Sequence, residues 1–504
     1  MLILECDASQ SKANCNSILP ALAFSFDMFN RTDNSFGVNE VLLASVIGCC
    51  MFATMSCQPL VIVGITGPIS VYAYTTYNLV DGQNYFVFWA WIGIWSMVLH
   101  WLLAIFNANN LLVYVTRFSC DTFGLYVAFI YLQKGVEVLL LQWEGQPADS
   151  PQPYLSVMVA LLVTIVALTC LSIGESTLLH RTLRKIIEDY GTPLTIIFFS
   201  GFVHIGYMGS VSLQTLPTST SFQPTADRGW LVPFWEVSAR EVFLALPFAI
   251  ILTILFYFDH NGECYRIAAC FLLIILVSSL IGQGSEFPLR KPPGFHWDFF
   301  LLGILMGVCG ILGLPFPNGL IPQAPFHTKS LAITHSEVNE KGQAVLITDE
   351  IVEQRVSHLS QGLLFLVTMT EPLLIVLSQI PQAVLAGLFF VMGLQALMVN
   401  GVVLKLKFLF QDRALADPSD PLLQIRRKWV LYSFVAFEVV IFIATFAITQ
   451  TPGAIVFPVF IALMIPARSA LMPRYYERQE MELLDTPTAG ENVMDSIRGD
   501  KLPL

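Results

Sequence analysis

The chain is short of charge. Only 12% of its 504 residues are Asp, Glu, Lys or Arg, against about 25% in soluble domains. With 55% hydrophobic residues and a mean hydropathy of +0.66, it cannot clothe a globule in solvated side chains, which excludes the ordinary water-soluble classes. Basic residues are fewer than acidic ones, 26 against 37, for a net charge of −11. That excess sits in loops and the C-terminal tail, so no nucleic-acid partner is indicated.

Catalytic and metal-binding signals are missing too. There are ten cysteines, and most, such as Cys49, Cys50, Cys170 and Cys309, stand in apolar runs without metal-ligand spacing. They read as small buried residues, and neither a disulfide framework nor a metal or other cofactor is expected. No phosphate-binding loop, catalytic triad or pair of histidines at helical spacing is present, and there is no room for a soluble nucleotide domain, which argues against an ATP-driven pump or an intramembrane enzyme. Met1 to Asn16 has neither a basic n-region nor a long apolar core, so no cleavable signal peptide is expected.

What remains is a series of long apolar runs, the mark of a polytopic all-α membrane protein. About fourteen elements are expected. In the first half they lie near 14–30, 37–57, 58–80, 84–106, 121–142, 154–177 and 190–210. In the second half they lie near 239–258, 297–313, 314–333, 358–378, 381–400, 429–449 and 452–470. The third element of each half is broken: Gln58-Pro59-Leu-Val-Ile-Val-Gly64-Ile-Thr66-Gly67-Pro68 in one, Gly313-Leu-Pro315-Phe-Pro317-Asn318-Gly319-Leu-Ile-Pro322-Gln323 in the other. Proline removes a donor and glycine weakens a helix, so neither segment can span as one helix. Non-helical backbone at membrane depth is tolerated where it lines a cavity or is buried in protein. An odd number of elements per half gives a 7+7 inverted repeat, and paired broken segments point to the binding site of a secondary transporter.

Loop charge fits that count. With a cytosolic N-terminus, loops 178–189 (Arg181, Arg184, Lys185) and 403–428 (Lys405, Lys407, Arg413, Arg426, Arg427, Lys428) face the cytosol, as does the C-terminus. Loop 143–153 has no basic residue, and the extracellular loop 211–238 has only Arg228. The domain reading is a short N-terminal segment 1–13, a first repeat 14–210, the loop 211–238, a second repeat 239–470, and an acidic cytosolic tail 471–504 expected to be disordered.

The first broken segment, with Phe256-Tyr257-Phe258-Asp259-His260-Asn261, Gly294-Phe-His296-Trp297-Asp298 and the run from Gly313 to Leu331, resembles the bicarbonate-transporter superfamily (solute carrier family 4). Pro381 to Gly393 and Leu483-Leu-Asp485-Thr-Pro487-Thr488 are similar to its eukaryotic borate-exporter branch. The resemblance implies a core domain of elements one to four and eight to eleven, moving a substrate past a gate domain of elements five to seven and twelve to fourteen. It also implies a homodimer formed through the gate domain, in the plasma membrane. The expected function is borate export by an elevator-like motion coupled to protons or a counter-anion. The alternatives are a bicarbonate or chloride exchanger, and a non-transporting boron sensor or dead paralogue.

Half-helices starting near Thr66-Gly67 and Pro317-Asn318 would aim their N-terminal donors at each other. Each carries roughly half a positive charge, which suits a small oxyanion. The substrate-binding candidates are Gln58, Thr66, Gly67, Pro68, Asn318, Gly319 and Gln323. Thr66 and Gln323 can both donate and accept, as a hydroxylated borate requires. Where the anion-exchanging branches can carry a basic residue this chain has Gln323, which favours a weakly charged, hydroxylated substrate. Asp259 closes the eighth element where the family places a carboxylate beside the substrate, and His327 lies in the second broken segment; both are coupling candidates. The plainer readings are a helix cap for Asp259 and a packing histidine for His327.

Lys134 and Glu137, three apart in the fifth element, are expected to pair, while Glu371, Glu438, His100 and His204 are read as structural. Three features depart from the family pattern: a short first element, Met398-Val399 in place of an acidic residue and glycine, and residues 262–276 as an atypical insertion of the kind an unspliced intron would produce.

Overall fold

The computed structural model describes residues 18–485 except 58–59, 81–83, 108–115, 148, 177, 262–293, 321–326, 329–330, 339–343, 413–420 and 426. The proposed insertion 262–276, the N-terminal segment 1–13, Gln58 and Gln323 therefore lie outside the described residues.

The chain is mostly helical. A first helix α1 covers residues 18–31. Then come α2 (Val38–Met55), α3 (Gly67–Leu79), α4 (Tyr85–Ile105), α5 (Arg117–Leu141), α6 (Pro151–Glu175) and α7 (Arg181–Phe202). The second half holds α8 (Ala239–Asn261), α9 (Phe295–Ile311), α10 (Val356–Thr368), α11 (Glu371–Leu377), α12 (Gln382–Val399), α13 (Gly401–Phe410), α14 (Lys428–Thr449), α15 (Phe457–Tyr475) and α16 (Arg478–Leu484). Among the described residues eight of these are long and apolar enough to cross a bilayer: α2, α4, α5, α6, α8, α12, α14 and α15, the last counted from Ala454. The protein is a multi-pass integral membrane protein.

Lipid tails are as apolar as leucine, so helices in a bilayer associate by close packing, and small residues let them approach. The α4–α9 contact is built that way. A Cβ placed on Gly93 would meet the Met306 carbonyl at 2.7 Å and the Gly310 Cα at 2.9 Å. A Cβ on Gly307 would meet Met97 Sδ at 2.6 Å. In the same way Gly362 of α10 sits against Cys50 of α2, and Gly393 of α12 against Leu132 and Ala128 of α5. The α4–α9 and α2–α10 pairs are both extensive contacts.

Several expectations need correction. The chain is not purely helical, because two small sheets are present: β1 (Val63–Gly64) with β2 (Asn318–Gly319), and β3 (Ala332–Val338) with β4 (Ala344–Ile351). The span expected at 358–378 is two helices, α10 and α11, bent by 83°. The reason is Pro372, in the first turn of α11; it has no N–H to give and its ring would clash with the Thr368 carbonyl, where α10 stops. Residues 181–189 are not loop but the start of α7. Lys405 is not a solvated loop cation: it is buried in α13, paired with Asp121 and Glu438. His204 lies in an exposed turn after α7 rather than in a helix.

The described residues of the tail, 471–485, are ordered. Glu477 and Glu480 close a capping box at the start of α16. Asp485 is buried, pairing with Arg468 at 2.5 Å and accepting from the Phe118 backbone N–H at 2.9 Å. A carboxylate against the first turn of α5 is favoured by the helix dipole, which is what holds the segment down.

Loop 211–238 has little regular structure but is tightly tied to helix ends. Asn39 Nδ2 donates to the Thr220 and Gln223 carbonyls at 2.7 and 2.8 Å. Glu40 accepts from the Thr225 N–H at 2.6 Å. Arg228 donates to the Gly313 carbonyl at 2.7 Å and the Leu312 carbonyl at 3.2 Å, closing the C-terminal end of α9. Gly313 has φ +62° there, a conformation that favours glycine.

Candidate functional site at the crossing of two broken segments

The two interrupted segments meet. β1 and β2 pair antiparallel, Val63 opposite Gly319 and Gly64 opposite Asn318. The Leu320 N–H extends the ladder to the Ile62 carbonyl at 2.8 Å. Segments some 250 residues apart in the sequence thus satisfy part of each other's buried backbone. Gly64 fits because Leu320 lies close: a Cβ on it would stand 3.0 Å from Leu320 Cδ1.

From this crossing α3 begins where expected. Thr66 is its N-cap, with extended backbone (φ −113°, ψ 161°), and Pro68 occupies the first turn. That placing is economical, since the missing proline N–H would have had no helical partner. Thr66 and Gly67 are buried, as are Asn318 and Gly319. Gly67 has two aromatic neighbours: an added Cβ would meet Tyr131 of α5 at 3.0 Å and Phe24 of α1 at 3.4 Å. Tyr131 and Phe24 thus pack directly against the first turn of α3, where the positive end of the helix dipole lies.

The second segment differs from expectation. Asn318 and Gly319 are strand, not the start of a helix, and the Asn318 Oδ1 accepts the Gly319 N–H at 2.8 Å. Trp89 of α4 holds this segment from behind. Its ring stacks on Phe316 at 4.3 Å and its Nε1 donates to the Leu314 carbonyl at 2.8 Å.

His327 is buried and bridges segments. Nδ1 lies 3.0 Å from the Leu60 carbonyl, and Nε2 lies 2.7 Å from Ser357 Oγ at the start of α10. A carbonyl only accepts, so Nδ1 carries the proton in that bond, and a neutral ring then accepts the Ser357 hydroxyl at Nε2. The ring thereby ties the first broken segment to the second and to α10. Asp259 falls in the last turn of α8, and its side chain lies outside the described residues, as do Gln58 and Gln323.

The structure thus places Thr66, Gly67 and Pro68 just past the β1–β2 pair that holds Asn318 and Gly319, while His327 joins Leu60 on the other side of that pair. Sequence reasoning missed Phe24, Tyr131 and Trp89, aromatics indistinguishable in sequence from the packing residues around them. It also missed Asp27, for which a signal exists: a carboxylate in an apolar helix needs a partner. Its partners are Lys134, at 3.0 Å, and Arg31, at 3.3 Å.

The sequence profile of the HCO3- transporter integral membrane domain matches residues 4–152 and 145–489. This chain belongs to that family. A Schizosaccharomyces pombe protein named as a candidate transporter is 48% identical to this family member over 476 residues, covering 93% of this chain and 89% of its relative. Boron transporter 1 of Saccharomyces cerevisiae is 43% identical over 505 residues, covering 96% of this chain and 83% of that protein. The fold is similar to the transmembrane domain of the cyanobacterial bicarbonate transporter BicA, with TM-score 0.53, 15% identity, and coverage of 87% of this chain and 95% of that one.

Proposed function

We propose that this transporter exports borate across the plasma membrane. The observation that carries the reading is the β1–β2 crossing, which sets the N-terminal donors of α3 beside the second broken segment, where a small hydroxylated oxyanion can be held by neutral groups. The name of the S. cerevisiae relative, a boron transporter 43% identical over 96% of this chain, supports the substrate.

The proposed mechanism is an elevator-like movement of a core domain past a gate domain in a 7+7 inverted repeat. Exchanging the halves turns the α4–α9 pair into the α10–α2 pair, and both pairs are closely packed. In this reading Gln58, Thr66, Gly67, Pro68, Asn318, Gly319 and Gln323 contact the substrate, and Asp259 and His327 couple its movement to protons or a counter-anion. The protein works as a homodimer with both termini in the cytosol.

The test is boron content in cells lacking their own exporter, loaded with boric acid. Expression of the chain lowers cell boron, and Asp259→Ala at equal surface expression abolishes the fall. Competition by bicarbonate or chloride would instead identify a general anion exchanger. A chain that reaches the surface and moves none of these anions would be a sensor or a dead paralogue.

A further inference from the structure

Five side chains from three helices form one ionic cluster outside the substrate set. Lys134 of α5 is 1% exposed. Its Nζ lies 3.0 Å from Asp27 Oδ1 on α1 and 3.1 Å from Glu137 Oε2 on its own helix. Arg31, at the end of α1, reaches Glu137 Oε2 at 2.6 Å and Asp27 Oδ1 at 3.3 Å. Tyr74 of α3 lies beneath both cations, with Arg31 Cζ 4.8 Å and Lys134 Nζ 4.6 Å from its ring centroid. Its hydroxyl accepts from Lys134 at 3.4 Å. Gln133 donates to Glu137 at 2.7 Å and to Gln450, just past α14, at 2.9 Å.

Two cations and two anions balance here, so the cluster adds little net field to the pathway of an anion. As a means of stability it is a poor choice, because well-packed apolar residues usually do as well as a buried ion pair. What ion pairs supply better is register between elements, and a set of contacts that can be exchanged for water when those elements part. The placement fits that use. Tyr74 lies seven residues beyond Gly67, two turns along the helix whose first turn faces the crossing. Asp27, Arg31 and Tyr74 come from α1 and α3, whereas Lys134, Glu137 and Gln133 come from α5.

We propose that Asp27, Arg31, Tyr74, Lys134 and Glu137 form an ionic latch between core and gate. It holds the carrier in the arrangement described here and opens once in each transport cycle. The inference rests on the reading that these two parts of the carrier move against each other.

The test places Arg31→Cys and Glu137→Cys in the full-length chain and bridges them with a reductively cleavable bifunctional methanethiosulfonate. Loss of boron export on bridging is expected, relative to the same variant before treatment, with recovery on reduction and no change on treating either single-cysteine variant with the reagent. Continued export by bridged protein, or no bridged peptide by mass spectrometry, overturns the latch. Where the unmodified chain exports no boron the substrate reading has failed, and amide exchange in purified protein decides the latch separately. Lys134→Met should then speed exchange in residues 67–79 and Lys134→Arg should restore protection. Equal exchange in all three proteins overturns it.

Discussion

The Asp485 carboxylate accepts the Phe118 N–H at 2.9 Å while facing Arg468 Nε at 2.5 Å, so the C-terminal segment caps the N-terminal end of α5. Removing it leaves a half-buried guanidinium unpaired and a helix donor unsatisfied. Asp485→Ala should cost about 2 kcal/mol, read as a lower melting temperature in detergent. Asp485→Asn keeps an acceptor for Phe118 and should recover part of the loss. If both variants melt with the wild type, the segment is not fastened in this way.

Gly67 tests the crossing. A Cβ there would press on Tyr131 at 3.0 Å and Phe24 at 3.4 Å, contacts that a methyl group can be given by small shifts. Gly67→Ala should therefore fold and transport with reduced rate. Gly67→Leu drives a side chain against the Tyr131 and Phe24 rings at the first turn of α3 and should abolish transport at an overpacking cost of about 1–3 kcal/mol. Surface expression and boron efflux measured together separate folding from blockage. Normal efflux in Gly67→Leu would move the substrate elsewhere.

The Arg427 guanidinium, donating from Nε to Glu480 Oε1 at 2.7 Å, holds the Glu480 carboxyl below the usual carboxylate range. For a carboxyl depressed in the folded state, the stabilisation is present above its unfolded value and is lost as pH falls through the depressed one. Docking of α16 should accordingly be constant near neutrality and weaken in acid. Amide exchange over residues 478–484 between neutral and acidic pH measures this, and Glu480→Gln should flatten the profile. An unchanged profile in that variant would assign the acid response to another group.

Much of this was written in the sequence. Proline and glycine made the two breaks legible, and the start of α3 at Thr66-Gly67-Pro68 follows from cap chemistry alone. The half-helix reading set the two breaks facing each other, but not that they would pair as strands through Val63–Gly64 and Asn318–Gly319. Other features were not legible. Lys405 sits among Arg413, Arg427 and Lys428 in sequence, and only tertiary packing turns it toward Asp121 and Glu438. The β3–β4 pair lies in a polar stretch between two apolar runs, where a short run of alternating residues carries little periodic signal. The aromatic walls Phe24 and Tyr131 are two of many such rings, since Phe, Trp and Tyr make up 12% of the chain.

Lys405 gives the sharpest energetic prediction. Its Nζ lies 2.5 Å from Glu438 Oε1 and 3.3 Å from Asp121 Oδ2, deep between α5, α13 and α14. Removing the cation from such a pair leaves a buried charge and costs about 3–5 kcal/mol, whereas replacing both partners by apolar groups is often neutral. The two carboxylates do not suffer equally. Asp121 still has Arg117 at 3.6 Å, while Glu438 is fully buried and its Oε2 makes no hydrogen bond. Lys405→Met should therefore destabilise strongly through Glu438 in particular. Lys405→Met/Glu438→Leu should recover most of that loss, and Lys405→Met/Asp121→Asn should recover less. The three melting temperatures, with the Glu438→Leu single variant completing the cycle, give the coupling directly. A double variant with Glu438→Leu no more stable than Lys405→Met alone would show that Lys405 acts through packing of its stem rather than through its charge.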